Sequence, residues 1–165
     1  MKHLILIQCS KSKLDHRAQA YELYDSDLFK KSLYYAWDHN CKEAIETKEY
    51  AETLILSALH GVVDPFDRLD PYDVALCDMT KQDRVTWSQR VYHQLKTRFG
   101  FALPEKITFL AGVLYREHLE HLVKEYDGVK TEVPMKGLGI GQQKHWLMWE
   151  TERVREQIRN LTIPS

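Results

Sequence analysis

Small polar and charged side chains directly follow the first two apolar runs of the sequence. Residues 4–7 lead into the segment 9–13, and residues 54–56 lead into the segment 57–61. Short apolar runs are typical of buried parallel strands, and open α/β sheets bind ligands where the carboxyl ends of their strands meet loops. The two segments therefore predict a ligand site at one sheet edge, which favours an enzyme or small-ligand protein over a scaffold.

The segment 9–13 carries the groups of an anion site. Turn amides, the hydroxyl of Ser10 and the ammonium groups of Lys11 and Lys13 are suited to a phosphate or a carboxylate. The segment is not a Walker loop, because it lacks the glycines of that motif. Cys9 fits a buried strand-end residue better than a nucleophile, since free cysteines are commonly buried.

Residues 57–73 supply candidates for acid–base catalysis and for recognition of a base. Ser57 leaves the second strand at the same predicted edge as Cys9, and we expect it to bind the ligand. His60 is suited to proton transfer near neutral pH. Tyr72 offers a ring for stacking, and Asp73 accepts hydrogen bonds from a base edge or a ribose hydroxyl. The alternative is an ordinary turn in which Asp73 caps the backbone.

Two glycine-containing segments follow later strands. Gly112 precedes a predicted helix, so that Tyr115 and Arg116 in its first turn reach back over the same edge, where Arg116 binds a phosphate or carboxylate. The alternative for Arg116 is an ion pair on the helix surface. Gly139 and Gly141 precede the last helix and permit close approach of the backbone to a ligand; the alternative is a flexible connector.

No metal site or cofactor site is predicted. His118 and His121 share a helix face, but no third or fourth ligand stands at a recognisable spacing from them. The three cysteines are an odd number without the CxxC spacing of zinc sites. We therefore expect a solvated histidine pair and a protein that functions without a metal ion.

Strand and helix patterns alternate along the chain. Residues 3–7, 53–56, 107–111 and 129–133 fit short strands, with helical patterns between and after them. This order predicts one α/β domain over residues 1–165, with three layers: a mostly parallel sheet of about four strands and helices on both faces. The irregular segment 60–81 exceeds the usual connection length, which favours a functional loop.

The composition of the chain limits the kinds of partner that we expect it to bind. The net charge of −1 leaves no global basic field, so a site for polyanions has to be local. Cysteine usage fits a reducing compartment, and no apolar stretch is long enough to cross a bilayer. We expect a cytoplasmic protein without a membrane partner.

Six motifs stand in order along nearly the whole chain: Cys9-Ser10-Lys11-x-Lys13, Ala20-x-x-Leu23-Tyr24-x-Ser26-x-Leu28-Phe29, Ile55-Leu56-Ser57-Ala58-x-x-Gly61-Val62-Val63, Pro71-Tyr72-Asp73, Ala111-Gly112-x-x-Tyr115-Arg116 and residues 134–141. Their order and spacing resemble a poorly characterised bacterial and phage family of small proteins, whose members have no settled activity.

A looser resemblance rests on the residues that follow the first two strands and on Tyr72-Asp73. These residues look like a domain of archaeosine synthase, which modifies a deazaguanine base in transfer RNA, and that domain resembles the uracil-DNA glycosylase fold. The resemblance implies a nucleobase or nucleotide pocket near Ser10, Ser57, Tyr72 and Asp73. The chain lacks the Gly-Gln-Asp-Pro-Tyr motif with which uracil-DNA glycosylases activate water, which argues against base excision.

These observations predict an enzyme acting on a nucleobase, nucleoside or nucleotide, free or within nucleic acid. The reaction is base modification or N-glycosidic transfer, with phosphate held by the lysines and the arginine, and with Asp73 and His60 reading the base or carrying protons. One alternative is a non-catalytic module that binds a nucleotide or nucleic acid, although the net charge counts against nonspecific binding of nucleic acid. Another is a phage or defence interaction protein.

Overall fold

The computed structural model describes residues 2–164. The strands of this part of the chain are β1 (His3–Gln8), β2 (Ala18–Gln19), β3 (Ala51–Ser57), β4 (Gly61–Val63), β5 (Arg68–Leu69), β6 (Lys106–Leu110) and β7 (Lys130–Glu132). The α-helices are α1 (Ala20–Leu23), α2 (Asp27–Thr47), α3 (Lys81–Arg98), α4 (Val113–Asp127) and α5 (Ile140–Thr162), and a 3₁₀ turn spans Leu76–Asp78.

Five strands form the main sheet in the order β4–β3–β1–β6–β7. The central strand β1 pairs in parallel with both β3 and β6, and β6 pairs in parallel with β7. Strand β4 runs antiparallel to β3, so the sheet is mixed but mostly parallel. The α/β class is confirmed, whereas the expected number of about four strands is too low. Residues 61–63 are too few to show a strand period, which explains the missing strand.

Strand β1 forms the middle of the core. Leu4, Ile5, Leu6 and Ile7 are each at most 1% exposed, as expected of a strand covered on both faces. Helices α2 and α5 pack against each other on one face of the sheet, and α3 and α4 pack against each other on the other. The molecule is therefore roughly three-layered, as the order of its elements predicts.

The segment 60–81 is ordered by short elements and side-chain contacts. It contains β4, the turn at 76–78 and β5, which pairs with β2 in a two-stranded ribbon. The side chain of Gln94 in α3 stabilises the start of this segment. Oε1 of Gln94 accepts from the Val62 amide at 2.8 Å, and its Nε2 donates to the His60 carbonyl at 3.1 Å. The segment folds back along the carboxyl edge of the sheet.

Among residues 2–164, no helix combines the length and the apolar character that crossing a bilayer requires.

Gly61 tests the contact between β4 and α3. Its φ of +77° disfavours other residues, and a Cβ there would lie 2.1 Å from Oε1 of Gln94. We expect Gly61→Ala to lower the free energy of unfolding by about 2–4 kcal/mol. The alanine would be strained in the left-handed conformation, and its methyl group would displace the Gln94 side chain from its hydrogen bonds. The measurement is urea unfolding.

The matched control is Gly100→Ala. Gly100 has a similar φ of +61°, but nothing lies within 4 Å of its added Cβ. It should lose only the strain component, about 1–2 kcal/mol. Equal losses in the two variants would show that the Gln94 contact contributes nothing.

Candidate functional site

The segments that follow β1, β3 and β6 lie at the same edge of the sheet, because these three strands are parallel. The amide of Cys9 donates to the Leu56 carbonyl at 3.0 Å, which continues the pairing of β1 with β3 beyond the strand. The Gln8 side chain accepts from the Gly112 amide at 2.8 Å and joins the end of β1 to the start of α4. The first two polar segments and the start of α4 therefore share one edge.

A cavity of about 320 Å³ opens at this edge, and we call it the Cys9 cavity. It lies between the segment after β1, the start of α4 and part of the 60–81 loop, and its walls are largely apolar. Its lining residues are Gln8, Cys9, Ser10, Lys11, Val74, Ala75, Leu76, Cys77, Gly112, Val113, Leu114 and Tyr115.

Two lining residues of the Cys9 cavity, Cys9 and Tyr115, are buried and contact each other. Cys9 is 7% exposed, and its thiol donates to the Tyr115 hydroxyl at 3.7 Å. Trp87 packs edge-on against Tyr115, with ring centroids 5.5 Å apart, and its indole N–H donates to the Ser57 carbonyl at 3.0 Å. Burial raises the pKa of Tyr115, so its hydroxyl stays protonated. Within residues 2–164 no histidine or carboxylate is hydrogen-bonded to the thiol, which supports a structural role for Cys9.

A second set of polar groups, the tyrosine cluster, is made of Lys13, Tyr24, Ser57 and Tyr72. The Tyr72 hydroxyl lies 2.6 Å from the Tyr24 hydroxyl and 2.6 Å from Oγ of Ser57. Nζ of Lys13 lies 4.3 Å from the centre of the Tyr72 ring. Burial raises the pKa of Tyr24 to about 12 and lowers the pKa of Lys13. The cluster ties the 60–81 loop to the sheet edge.

Residues of the 9–13 segment have different environments. Ser10 is 8% exposed, and its hydroxyl donates to the Ser12 carbonyl at 2.5 Å, so that this donor is used within the turn. Lys11 is exposed and lines the Cys9 cavity. Lys13 lies over Tyr72 instead and donates to the Lys11 carbonyl at 3.1 Å. Of the two lysines, only Lys11 is placed at the cavity.

His60 and Asp73 are exposed and lie outside the cavity lining. The His60 ring meets the Tyr72 ring edge-on at 5.4 Å, and the His60 amide donates to Oγ of Ser57 at 3.0 Å. The Asp73 carboxylate is close enough to Lys13 to oppose the fall in the pKa of that lysine. Asp73 directly precedes Val74, a lining residue, so Asp73 stands nearer the Cys9 cavity along the chain than His60 does.

Arg116 lines a neighbouring cavity of about 410 Å³, the Arg116 cavity, which shares Gly112 and Val113 with the Cys9 cavity. Arg116 is 8% exposed, its Nε is buried without a hydrogen-bond partner, and its Nη1 lies 3.6 Å from Oε2 of Glu120. Gly139 also lines it and is the N-cap residue of α5. Gly141 lines neither cavity.

The expected site residues are therefore not gathered in one cavity. Ser10, Lys11 and Tyr115 line the Cys9 cavity, Arg116 and Gly139 line the Arg116 cavity, and the remaining six line neither: Lys13, Ser57, His60, Tyr72, Asp73 and Gly141. The site residues predicted from the sequence did not include residues 74–77 of the cavity lining, Trp87, which packs against Tyr115, or the buried Tyr24 hydroxyl. The unusual length of the 60–81 loop is a sequence signal for residues 74–77. The contacts of Trp87 and Tyr24 join distant segments, so the sequence gives no signal for them. The pair His118 and His121 is not joined by a third histidine, cysteine or carboxylate ligand among residues 2–164.

Alkaline pH tests the buried tyrosine cluster. Burial raises the pKa of Tyr24 to about 12 in the folded protein, against 10 in the unfolded chain. The contribution of the protonated Tyr24 to stability is therefore complete below pH 10 and is lost as the pH rises through 12. The full contribution is about 2–3 kcal/mol. Denaturant unfolding between pH 9 and 12 should therefore show a smaller loss in Tyr24→Phe than in the unmodified protein. Identical losses would contradict the raised pKa of Tyr24.

Comparison with known proteins gives a family but no activity. Searches of curated proteins and of solved structures produced no significant match. The profile of a family of unknown function, DUF6884, matches residues 4–149, which include both cavities and the tyrosine cluster. The chain belongs to the DUF6884 family.

Proposed function

We propose that this protein is an enzyme that binds a nucleobase, nucleoside or nucleotide in the Cys9 cavity and acts on it there. The observation that carries the proposal is the position of the cavity. Strand β1 lies between β3 and β6. After β1 the chain forms β3 on one side of it, and later forms β6 on the other side. The cavity lies between the segments after β1 and β6, at the switch point where open α/β sheets bind ligands.

The size and the chemistry of the cavity suit a flat heterocycle. Its volume of about 320 Å³ falls at the lower end of the usual range for small-ligand pockets. Apolar walls and the Tyr115 ring offer contact to the faces of a base, whereas Lys11 supplies positive charge at the wall. This combination favours a base with an attached anionic group over a purely apolar ligand.

Asp73 is the residue that we propose reads the base edge. A carboxylate only accepts hydrogen bonds, so it selects an edge that presents N–H donors, as a guanine-like base does. Its side chain is exposed and forms no hydrogen bond within residues 2–164; the charge near it is that of Lys13, so its oxygens are open to a ligand. We propose that His60, on the Tyr72 side, carries protons in base modification or N-glycosidic transfer.

The alternative is a non-catalytic module that binds the same ligand. One observation favours it: neither His60 nor Asp73 lines the Cys9 cavity. A binding module and an enzyme make the same complexes, so they are distinguished by turnover. Incubation of the protein with nucleosides and nucleotides, analysed by chromatography for a new base or a free base, separates them.

Phosphate binding is the first test. We expect guanosine monophosphate to bind more tightly than guanosine, and Lys11→Ala to weaken binding of the nucleotide roughly tenfold to 150-fold, the effect of a charge-assisted hydrogen bond of about 1.5–3 kcal/mol. Calorimetric titration is the measurement. Lys130→Ala is the control, because Lys130 lies at the start of β7, at the opposite sheet edge.

Arg116→Lys extends this test across the two cavities. A ligand that places its phosphate in the Arg116 cavity loses affinity in Arg116→Lys, whereas one confined to the Cys9 cavity does not. Absence of binding for nucleosides and nucleotides of all four bases, with none co-purifying in native mass spectrometry, would contradict the proposed function.

Asp73→Asn tests base recognition separately. Because Asp73 is exposed and makes no hydrogen bond within the protein, its stability change should stay within about 0.5 kcal/mol. Binding of guanosine monophosphate should fall, since one acceptor becomes a donor. Asp70→Asn is the control: Asp70 is also exposed and pairs with Arg17 at 3.1 Å. Equal affinities for Asp73→Asn and the unmodified protein would remove Asp73 from base recognition.

A further inference from the structure

Two histidines and a carboxylate meet at the amino end of β1, away from both cavities described above. His3 begins β1, and His39 and Glu43 lie one turn apart on α2. One ligand atom from each residue lies within 4.8 Å of the others. Strand β1 and helix α2 thus bring together the donor types that divalent transition-metal ions prefer.

The distances are close to those of a metal site. Nδ1 of His3 lies 2.7 Å from Oε2 of Glu43, and Nδ1 of His39 lies 3.9 Å from the same oxygen. Ligand atoms of a tetrahedral zinc ion stand about 3.3 Å apart, given bonds of about 2.0–2.1 Å. Both separations approach this value if the Glu43 side chain moves slightly away from His3 toward His39.

His39 carries the decisive observation. Its Nδ1 is buried and has no hydrogen-bond partner. Leaving a buried polar atom unpaired costs about 1–3 kcal/mol, so such atoms in folded proteins call for an explanation. A metal ion between this nitrogen, His3 and Glu43 supplies the missing partner.

The side chains that surround His3 form hydrogen bonds of the kind that orient metal-binding histidines. His3 is 2% exposed, and its Nε2 lies 2.7 Å from Oγ1 of Thr108. The Thr108 hydroxyl in turn donates to Oε2 of Glu132 at 3.1 Å. With that hydroxyl proton used, Nε2 of His3 donates to Thr108, while Nδ1 donates to the Glu43 carboxylate at 2.7 Å; a metal ion would take the place of the Nδ1 proton. A metal-binding histidine commonly donates its other N–H to such an oriented acceptor.

A small cavity adjoins two of the three residues, and the positive charges near the third are paired with carboxylates. A cavity of about 190 Å³ is lined by both His3 and Glu43, which leaves room for a water as a further ligand. Two lysines lie near His39, and each pairs with a carboxylate: Lys42 with Glu46 at 3.0 Å and Lys106 with Glu132 at 3.2 Å. Charge repulsion of an incoming cation is thereby reduced.

We propose that His3, His39 and Glu43 bind a divalent transition-metal ion of the zinc type, with water in the remaining position. The site joins β1 to α2 and does not depend on the proposed nucleotide function. Its sequence signal is the i,i+4 spacing of His39 and Glu43, which becomes informative only when β1 supplies His3.

The experiment uses the full chain after dialysis against a chelator. We expect calorimetric titration with Zn²⁺ to show one ion per chain, and Co²⁺ to give the strong visible absorption of tetrahedral coordination. His39→Ala and Glu43→Gln should each abolish both signals, and Thr108→Val should weaken Zn²⁺ binding about 10–100-fold. The matched control is His121→Ala, which removes the histidine of an exposed i,i+4 pair with Glu125 at 2.8 Å.

Three results would overturn the proposal. They are the absence of stoichiometric Zn²⁺ binding to the unmodified protein, unchanged binding in both His39→Ala and Glu43→Gln, and loss of the bound ion in His121→Ala alone. Circular dichroism of each variant shows whether it is folded. Glu43→Gln retains size and polarity, so the test stands if His39→Ala fails to fold.

Discussion

Parallel pairing of β1 with strands on both of its sides is the constraint on which the rest of the structure depends. Its residues 4–7 are buried on both faces, so the strand cannot shift by one residue without breaking the core. The pairing directs the ends of β1, β3 and β6 to one edge, and the Gln8 side chain then fixes the start of α4 there. The Cys9 cavity is the space that these diverging segments leave.

The Tyr72 hydroxyl has a comparable role for the long loop. It contacts the hydroxyls of Tyr24 and Ser57, which are both 0% exposed, and buried hydroxyls need partners. Because Tyr72 is two residues before Val74, this anchoring also sets the wall of the Cys9 cavity. Order in the loop and the shape of the proposed ligand site thus depend on the same hydrogen bonds.

The two proposals concern opposite ends of β1. At its carboxyl end, an apolar cavity with a lysine suits an organic ligand with an anionic group; at its amino end, imidazole and carboxylate groups suit a cation. The core residues 4–7 separate them. The adjacent Arg116 cavity belongs with the first end, since it shares Gly112 and Val113 with the Cys9 cavity.

Local pattern in the sequence was enough to predict the α/β class, the three central parallel strands and the polar segments at their carboxyl ends, because apolar runs and the residues that follow them are local features. Tertiary structure alone decided the antiparallel strand β4, the separation of the expected site residues between two cavities and the surface around them, and the meeting of His3 with His39 and Glu43. Tyr24 and Tyr72 are 48 residues apart, and His3 and Thr108 are 105 apart. No periodicity spans such separations; packing of helices against the sheet sets which side chains meet.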